Sequence, residues 1–172
     1  MELPITYYPA KSLNEPSVKV EDFEAAGKLV PDMIDTMNAN KGIGLAAPQV
    51  GNNIRLAVIH KDASKELNEH LVIINPKIFS ASSDREEDIE GCLSMPGIEG
   101  IVARCRKIKL RFADTEGVEH KCKATGLLAR VIQHEIDHLD GILFTERTDN
   151  ITKGEKGLKK LPDGTLSGRG AY

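Results

Sequence analysis

His134-Glu135-Ile136-Asp137-His138 has the HExxH spacing of a helix that carries a metal ion and a general base together. Residues four apart share a helical face, so His134 and His138 can address one ion. Glu135 lies about 100° further round, near enough to handle a water beside that ion without ligating it. Leu127, Val131, His134 and His138 follow i, i+4, i+7 and i+11, so the same face continues upstream as an apolar stripe. One edge of Leu127 and Val131 is expected to wall an apolar substrate pocket, with the rest of their surface in the core. Thr125 is placed to cap this helix, Leu139 to end it, and Gly141 to terminate the chain direction beyond it. The competing reading is a solvated helix with two incidental histidines, and a third ligand separates the two.

Upstream of the helix the period changes to two. Lys107-Ile108-Lys109-Leu110-Arg111-Phe112 alternates strictly, with Ile108, Leu110 and Phe112 facing inward. Asp114-Thr115-Glu116-Gly117 is a turn, and alternation resumes at Val118, His120, Cys122 and Ala124, giving a β-hairpin with one wet face. The runs 54–59 and 71–74 suit short buried strands, whereas Ser80 to Asp88 reads as a charged surface loop. Near the N-terminus, Phe23, Ala26, Val30, Met33, Ile34 and Met37 fall at helical spacing behind Asp22 as N-cap. Pro31 within them predicts a kink or a fresh helix start. Asn38 to Gly44 ends that helix, and Leu45 to Gly51 reads as loop or short strand. The expected fold is α+β, mainly antiparallel strands around a central metal-binding HExxH helix. Residues 1–152 are expected to form the catalytic domain and 153–172 a C-terminal extension, whose Lys- and Gly-rich composition leaves disorder or a docked extended strand open.

With 172 residues, 40% apolar and 28% charged, the chain has the size and composition of one ordinary globular domain. A formal net charge of -3 gives no electrostatic case for direct nucleic-acid binding. No apolar run approaches the ~20 residues that span a membrane. Met1-Glu2-Leu3-Pro4-Ile5 resembles neither a secretory signal nor a transit peptide, which points to the cytoplasm. An organellar protein stripped of its transit peptide would read the same way. Three cysteines without an export signal argue against a disulfide framework. Cys105 and Cys122 lie beside strand-like segments and are expected to pack.

A catalytic metal site typically takes three protein ligands and leaves one position open. Downstream of His138 the chain offers Asp140 and Glu146 but no further histidine. Upstream, Cys92 sits in Glu90-Gly91-Cys92-Leu93-Ser94, read as an irregular turn, where its thiolate would be a strong ligand for a soft or borderline metal. Taken alone, Cys92 reads equally as a small buried hydrophobe.

Three stretches together resemble the signature motifs of the peptide deformylase family. They are Gly42-Ile43-Gly44-Leu45-Ala46-Ala47-Pro48-Gln49, Glu90-Gly91-Cys92-Leu93-Ser94 and Gln133-His134-Glu135-Ile136-Asp137-His138, spanning about residues 42 to 138. The resemblance implies Cys92, His134 and His138 as metal ligands and Glu135 as the catalytic acid/base. It implies the Gln49 amide and the Leu93 backbone N–H as stabilisers of the oxyanion, and the edge around Gly44 as the place where substrate pairs as an added strand. Ile43, Leu127 and Val131 are the expected methionine-pocket residues. The implied metal is one divalent ion, Fe(II) in the native state, with Zn, Ni or Co able to substitute. The implied reaction is hydrolysis of the formyl group from N-formylmethionyl nascent peptides at the ribosome, releasing formate.

The residue types suit that chemistry. A metal lowers the pKa of bound water, making hydroxide available near neutrality, and Glu135 can take its proton and return it to the departing amine. Charge then builds on the formyl oxygen, where one preorganised donor is worth about 3–4 kcal/mol. Glu90, Asp137 and Arg104 could form a network orienting the ligands, although Arg104 also reads as a plain strand-edge charge. Two departures from relatives stand out: Glu99 where some carry a basic residue, and Arg130 where some carry an apolar one, predicting a more polar pocket rim. A zinc endopeptidase would need an open cleft and usually a downstream third ligand. A non-enzymatic metal-binding or ribosome-docking descendant would have lost Glu135 or Gln49, and both are present.

Overall fold

A computed structural model describes residues 1–158. Among them run α1 (Phe23–Ala39), β1 (Gly44–Ala46), β2 (Leu56–Ile59), β3 (Leu71–Ala81), β4 (Arg85–Cys92), β5 (Met95–Cys105), β6 (Lys107–Ala113), β7 (Glu119–Thr125), α2 (Gly126–Leu139) and β8 (Ile151–Lys153). One antiparallel sheet has the order β1-β2-β3-β6-β7, and a smaller one has the order β4-β5-β8. The fold is α+β, with α2 packed on the larger sheet.

β2 shows how that sheet is covered. Leu56 and Val58 pack with Val30, Met33 and Met37 of α1, while Ala57 and Ile59 pack with Leu128, Ile132 and Ile136 of α2. A strand buried on both faces reads as an unbroken apolar run, which is why 56–59 was legible without alternation. A third cluster, including Leu13, Met95, Val102, Phe144 and Leu158, fills the space beside the smaller sheet.

α1 starts as its sequence predicts, with the Asp22 carboxylate accepting from Ala25 N–H at 2.9 Å. It continues through Pro31 without a new helix starting there. The missing Pro31 N–H costs one bond, and burial of Ala26, Val30, Met33 and Met37 on one face outweighs it. Thr125 stands at the N-cap of α2, but its side chain makes no cap bond. Gly141 closes the other end at φ 74°, the left-handed geometry that glycine adopts freely.

The expected loop from Ser80 to Asp88 is corrected. β3 extends to Ala81 and β4 begins at Arg85. β4 is an edge strand in which only Glu90 is buried, so solvated side chains hide it from a hydropathy reading, while backbone pairing to β5 forms it. The segment from Glu90 is likewise strand rather than irregular turn as far as Cys92. The register shifts between Gly91 and Cys92, Cys92 faces Met95, and Leu93-Ser94 make the hairpin tip. In β7 the wet-and-dry alternation holds only for its second half. Ala124 is buried and Cys122 partly so, but Val118 precedes the strand and His120 is exposed. His120 instead bonds Asp114 at 2.6 Å and stacks on Phe112.

β8 straddles the boundary drawn after residue 152, and Leu158 is buried in the third cluster. The rest of the expected extension, 159–172, lies outside the described residues. No described helix is long and apolar enough to cross a membrane.

Candidate active site

Cys92 at the end of β4 meets His134 and His138 of α2, and one ligand atom from each lies within 4.8 Å of the other two. Cys92 Sγ and His138 Nε2 are 3.2 Å apart. His134 Nδ1 donates to Glu90 Oε2 at 3.0 Å, which leaves Nε2 as the atom free to ligate. A thiolate and two imidazoles fit a divalent ion of borderline softness. Among the described residues this is the one His/Cys/carboxylate group close enough to hold an ion. Burial works against charge on His134, but hydrogen bonds with Cys92 and Glu90 outweigh it and raise its pKa well above the ordinary value. Burial, together with His134 and Arg104, lowers that of His138.

Glu90 is the centre of the supporting network. Its Oε1 accepts from Arg104 Nε at 2.9 Å and Arg130 Nη1 at 2.8 Å, and its Oε2 accepts from Arg104 Nη2 at 2.9 Å as well as from His134. Burial pushes the Glu90 carboxyl up, yet the bonds from His134 and Arg104 prevail and hold it well below the usual range. Arg104 also bonds Asp137, which in turn pairs with Arg147. The plain strand-edge reading of Arg104 is thus corrected: its guanidinium is buried between β5 and α2.

Glu135 is buried, and its Oε2 has no partner among the described residues. Such an atom is costly unless something binds there, and its place beside Cys92, His134 and His138 fits a water carried by an ion. Gly44 lets the carboxylate sit where it does. A Cβ on Gly44 would lie 2.9 Å from both Glu135 Cδ and Val131 Cγ1, so a side chain there would displace the carboxylate. Gln49 is fixed from both ends. Its Oε1 accepts from Ala46 N–H at 2.8 Å, and its Nε2 lies 3.2 Å from Ser94 Oγ and 3.4 Å from Cys92 Sγ.

Burial lifts the Glu135 carboxyl from 4.5 to about 7. Between those values the folded chain binds more protons than the unfolded one, so stability falls as pH rises and the full cost is present above about 7. That cost is on the order of 3 kcal/mol. Glu135→Gln should therefore stabilise the metal-free protein by an amount that grows between about pH 5 and about pH 8, read from urea midpoints. Parallel pH profiles for the two proteins would refute this.

A cavity of about 340 Å³ opens beside Cys92 and His134. Ile43, Gly44, Gln49, Leu93, Leu127 and Val131 all line it with Cys92, His134 and Glu135, while His138 sits behind. Val131 is buried and Leu127 half-exposed at the rim. Ile89 also lines the rim; it falls between the stretch read as a loop, Ser80 to Asp88, and the one read as a turn, Glu90 to Ser94. Ser94, which holds Gln49, and Arg147, which holds Asp137, were not assigned roles from sequence; Ser94 lies within the quoted Glu90–Ser94 stretch, whereas nothing in the sequence marks Arg147. Arg130 lines the cavity, but it is buried and its guanidinium bonds Glu90 and two backbone carbonyls. Glu99 pairs with Lys153 at 2.9 Å and is not part of the lining.

Comparison with known proteins identifies the family. The family model for polypeptide deformylase matches residues 2–154. A peptide deformylase of Salinibacter ruber is 44% identical over 163 residues, covering 89% of this chain and 84% of the relative. One of Chlorobaculum parvum is 40% identical over 172 residues, covering 98% and 90%. Among solved structures, a peptide deformylase of Synechococcus elongatus in complex with actinonin superposes with TM-score 0.79 at 42% identity, covering 86% of this chain and 79% of that one. A peptide deformylase of Legionella pneumophila gives TM-score 0.80 at 40% identity, covering 87% of each. The chain belongs to the polypeptide deformylase family, and is a metal-dependent hydrolase that removes the N-formyl group from nascent peptides.

Proposed function

We propose that deformylation here runs on Glu135 as acid/base, Gln49 and the Leu93 N–H as oxyanion donors, and Cys92, His134 and His138 as ligands of one Fe(II). The observation that carries this reading is the convergence of a cysteine and two imidazoles beside a buried carboxylate, one oxygen of which has no partner among the described residues. The ion, when bound, supplies Lewis acidity and an acidified water. Glu135 takes the proton of the attacking water and delivers it to the departing amine nitrogen. Gln49, held by Ala46 and Ser94, presents Nε2 beside Cys92, where it meets the formyl oxygen as negative charge builds on it. The methionine side chain fits the apolar wall of Ile43, Leu127 and Val131, and the substrate backbone pairs along the free edge of β1 at Gly44. We place this work in a bacterial cytoplasm, on chains emerging from the ribosome, with residues 1–152 as the catalytic unit.

The test is formate release from formyl-Met-Ala-Ser by protein loaded separately with iron and nickel. The iron form should lose activity in air and the nickel form keep it, because a thiolate-bound iron is oxidisable. Cys92→Ala should lose most of its metal by elemental analysis. Equal stability of both forms in air would remove the case for iron, and a fully metallated Cys92→Ala would remove the ligand assignment.

A further inference from the structure

We propose that Arg130 is a positioning residue that fixes the thiolate half of the metal centre against its imidazole half. The inference rests on the ligand set assigned above. Those ligands come from two separate elements: Cys92 from the β4–β5 hairpin, and His134 and His138 from α2. Their separation is set by whatever crosses between the two elements. Arg130 stands one helical turn before His134 and crosses to the hairpin at three points. Nη1 donates to Glu90 Oε1 at 2.8 Å and to the Val102 carbonyl at 2.9 Å, and Nη2 donates to the Glu86 carbonyl at 2.6 Å. Glu86 and Glu90 belong to β4 and Val102 to β5, so one guanidinium grips both strands of the hairpin whose tip region carries Cys92.

The second line of action runs through Glu90. A carboxylate has about four lone-pair sites, and here Arg104 takes two, Arg130 one and His134 the last. Arg130 thereby helps hold the carboxylate plane that orients the His134 ring. Arg104 reaches from the hairpin to Asp137 of α2, but its hydrogen bonds go to side chains. Gln133 of α2 bonds the β5 backbone at Cys105, whereas Arg130 bonds the backbone of β4 and β5 together. A planar fork of five donors suits three acceptors spread over two strands, whereas an ammonium on a flexible stem does not. The residue that made the pocket rim look more polar in sequence thus has its charged end turned into the hairpin.

The experiment compares Arg130→Met and Arg130→Lys with the parent, all full-length. Cobalt(II) affinity is measured by chelator competition, the thiolate-to-cobalt absorption band is recorded, and KM and kcat for formyl-Met-Ala-Ser are taken at saturating metal. Arg130→Met should weaken cobalt binding about 10–100-fold and alter the thiolate band, with KM within about twofold of the parent. Arg130→Lys should recover only a minor part of that loss. If Arg130→Met does not fold, Arg130→Lys decides: weaker cobalt binding than the parent supports the proposal, and parental affinity overturns it. Parental cobalt affinity and spectrum in Arg130→Met would overturn it, as would a change confined to KM, which would mark a pocket residue. Full recovery by Lys would show that charge suffices and overturn the clasp. Cys92→Ala in the same titration separates the two readings, because parental cobalt affinity there would refute the ligand assignment itself.

Discussion

Glu135→Gln should lower formate release by roughly 10²–10⁴-fold while the protein still binds its full complement of metal. The amide keeps the shape of the side chain packed against Gly44, so neither the cavity nor the ligands need to move. What it loses is the ability to accept and return a proton beside the scissile bond. In the metal-free protein burial lifts this carboxyl to about 7, nearer neutrality than an exposed glutamate. The measurement is steady-state formate release on nickel-loaded protein, with metal content determined on the same samples. Activity within about tenfold of the parent, with metal retained, would remove Glu135 from the acid/base role. Loss of metal together with activity would mean that the carboxylate is itself a ligand.

Glu90→Gln should destabilise the folded chain by about 3–5 kcal/mol, the usual effect of removing one partner from a buried ion pair. Gln has the shape of Glu but not the charge, so Arg104 and Arg130 would remain buried around a neutral amide. The His134 ring would lose the carboxylate that fixes its tautomer, and metal affinity should fall as well. The pH dependence follows from the sign of the shift. Glu90 is held below its unfolded value, so its contribution is present above about pH 4.5 and is lost as pH falls through the folded value. Urea unfolding of metal-free parent and variant should therefore differ widely at neutral pH and converge on acidification. A difference that stayed below about 1 kcal/mol at neutral pH would show that the remaining partners absorb the change.

Much of this site is readable in the chain before any folding is considered. His134, Glu135 and His138 belong to one helix, and their relative placement follows from 3.6 residues per turn. Ile108, Leu110 and Phe112 declare their face by alternation, as Val30, Met33 and Met37 do by helical spacing. Local periodicity failed at β4, where solvent covers nearly every side chain and the strand exists because β5 lies beside it. It also failed to distinguish the two uses of Arg104, because an arginine at a strand edge and one buried between carboxylates look alike in sequence.

By itself the sequence determined that one helix carries two imidazoles and a carboxylate on adjoining faces, and that three short motifs match one enzyme family. Those are properties of neighbours along the chain. Only the tertiary structure decided that Cys92 stands 3.2 Å from His138, that Gln49 reaches Cys92, and that Glu90 serves His134 and two arginines at once. These contacts join residues more than ten positions apart, each pair brought together by sheet register and by helix α2 packing on strands. Sequence periodicity specifies directions within an element, whereas the distance between elements is fixed by the burial they share and the ions that bridge them.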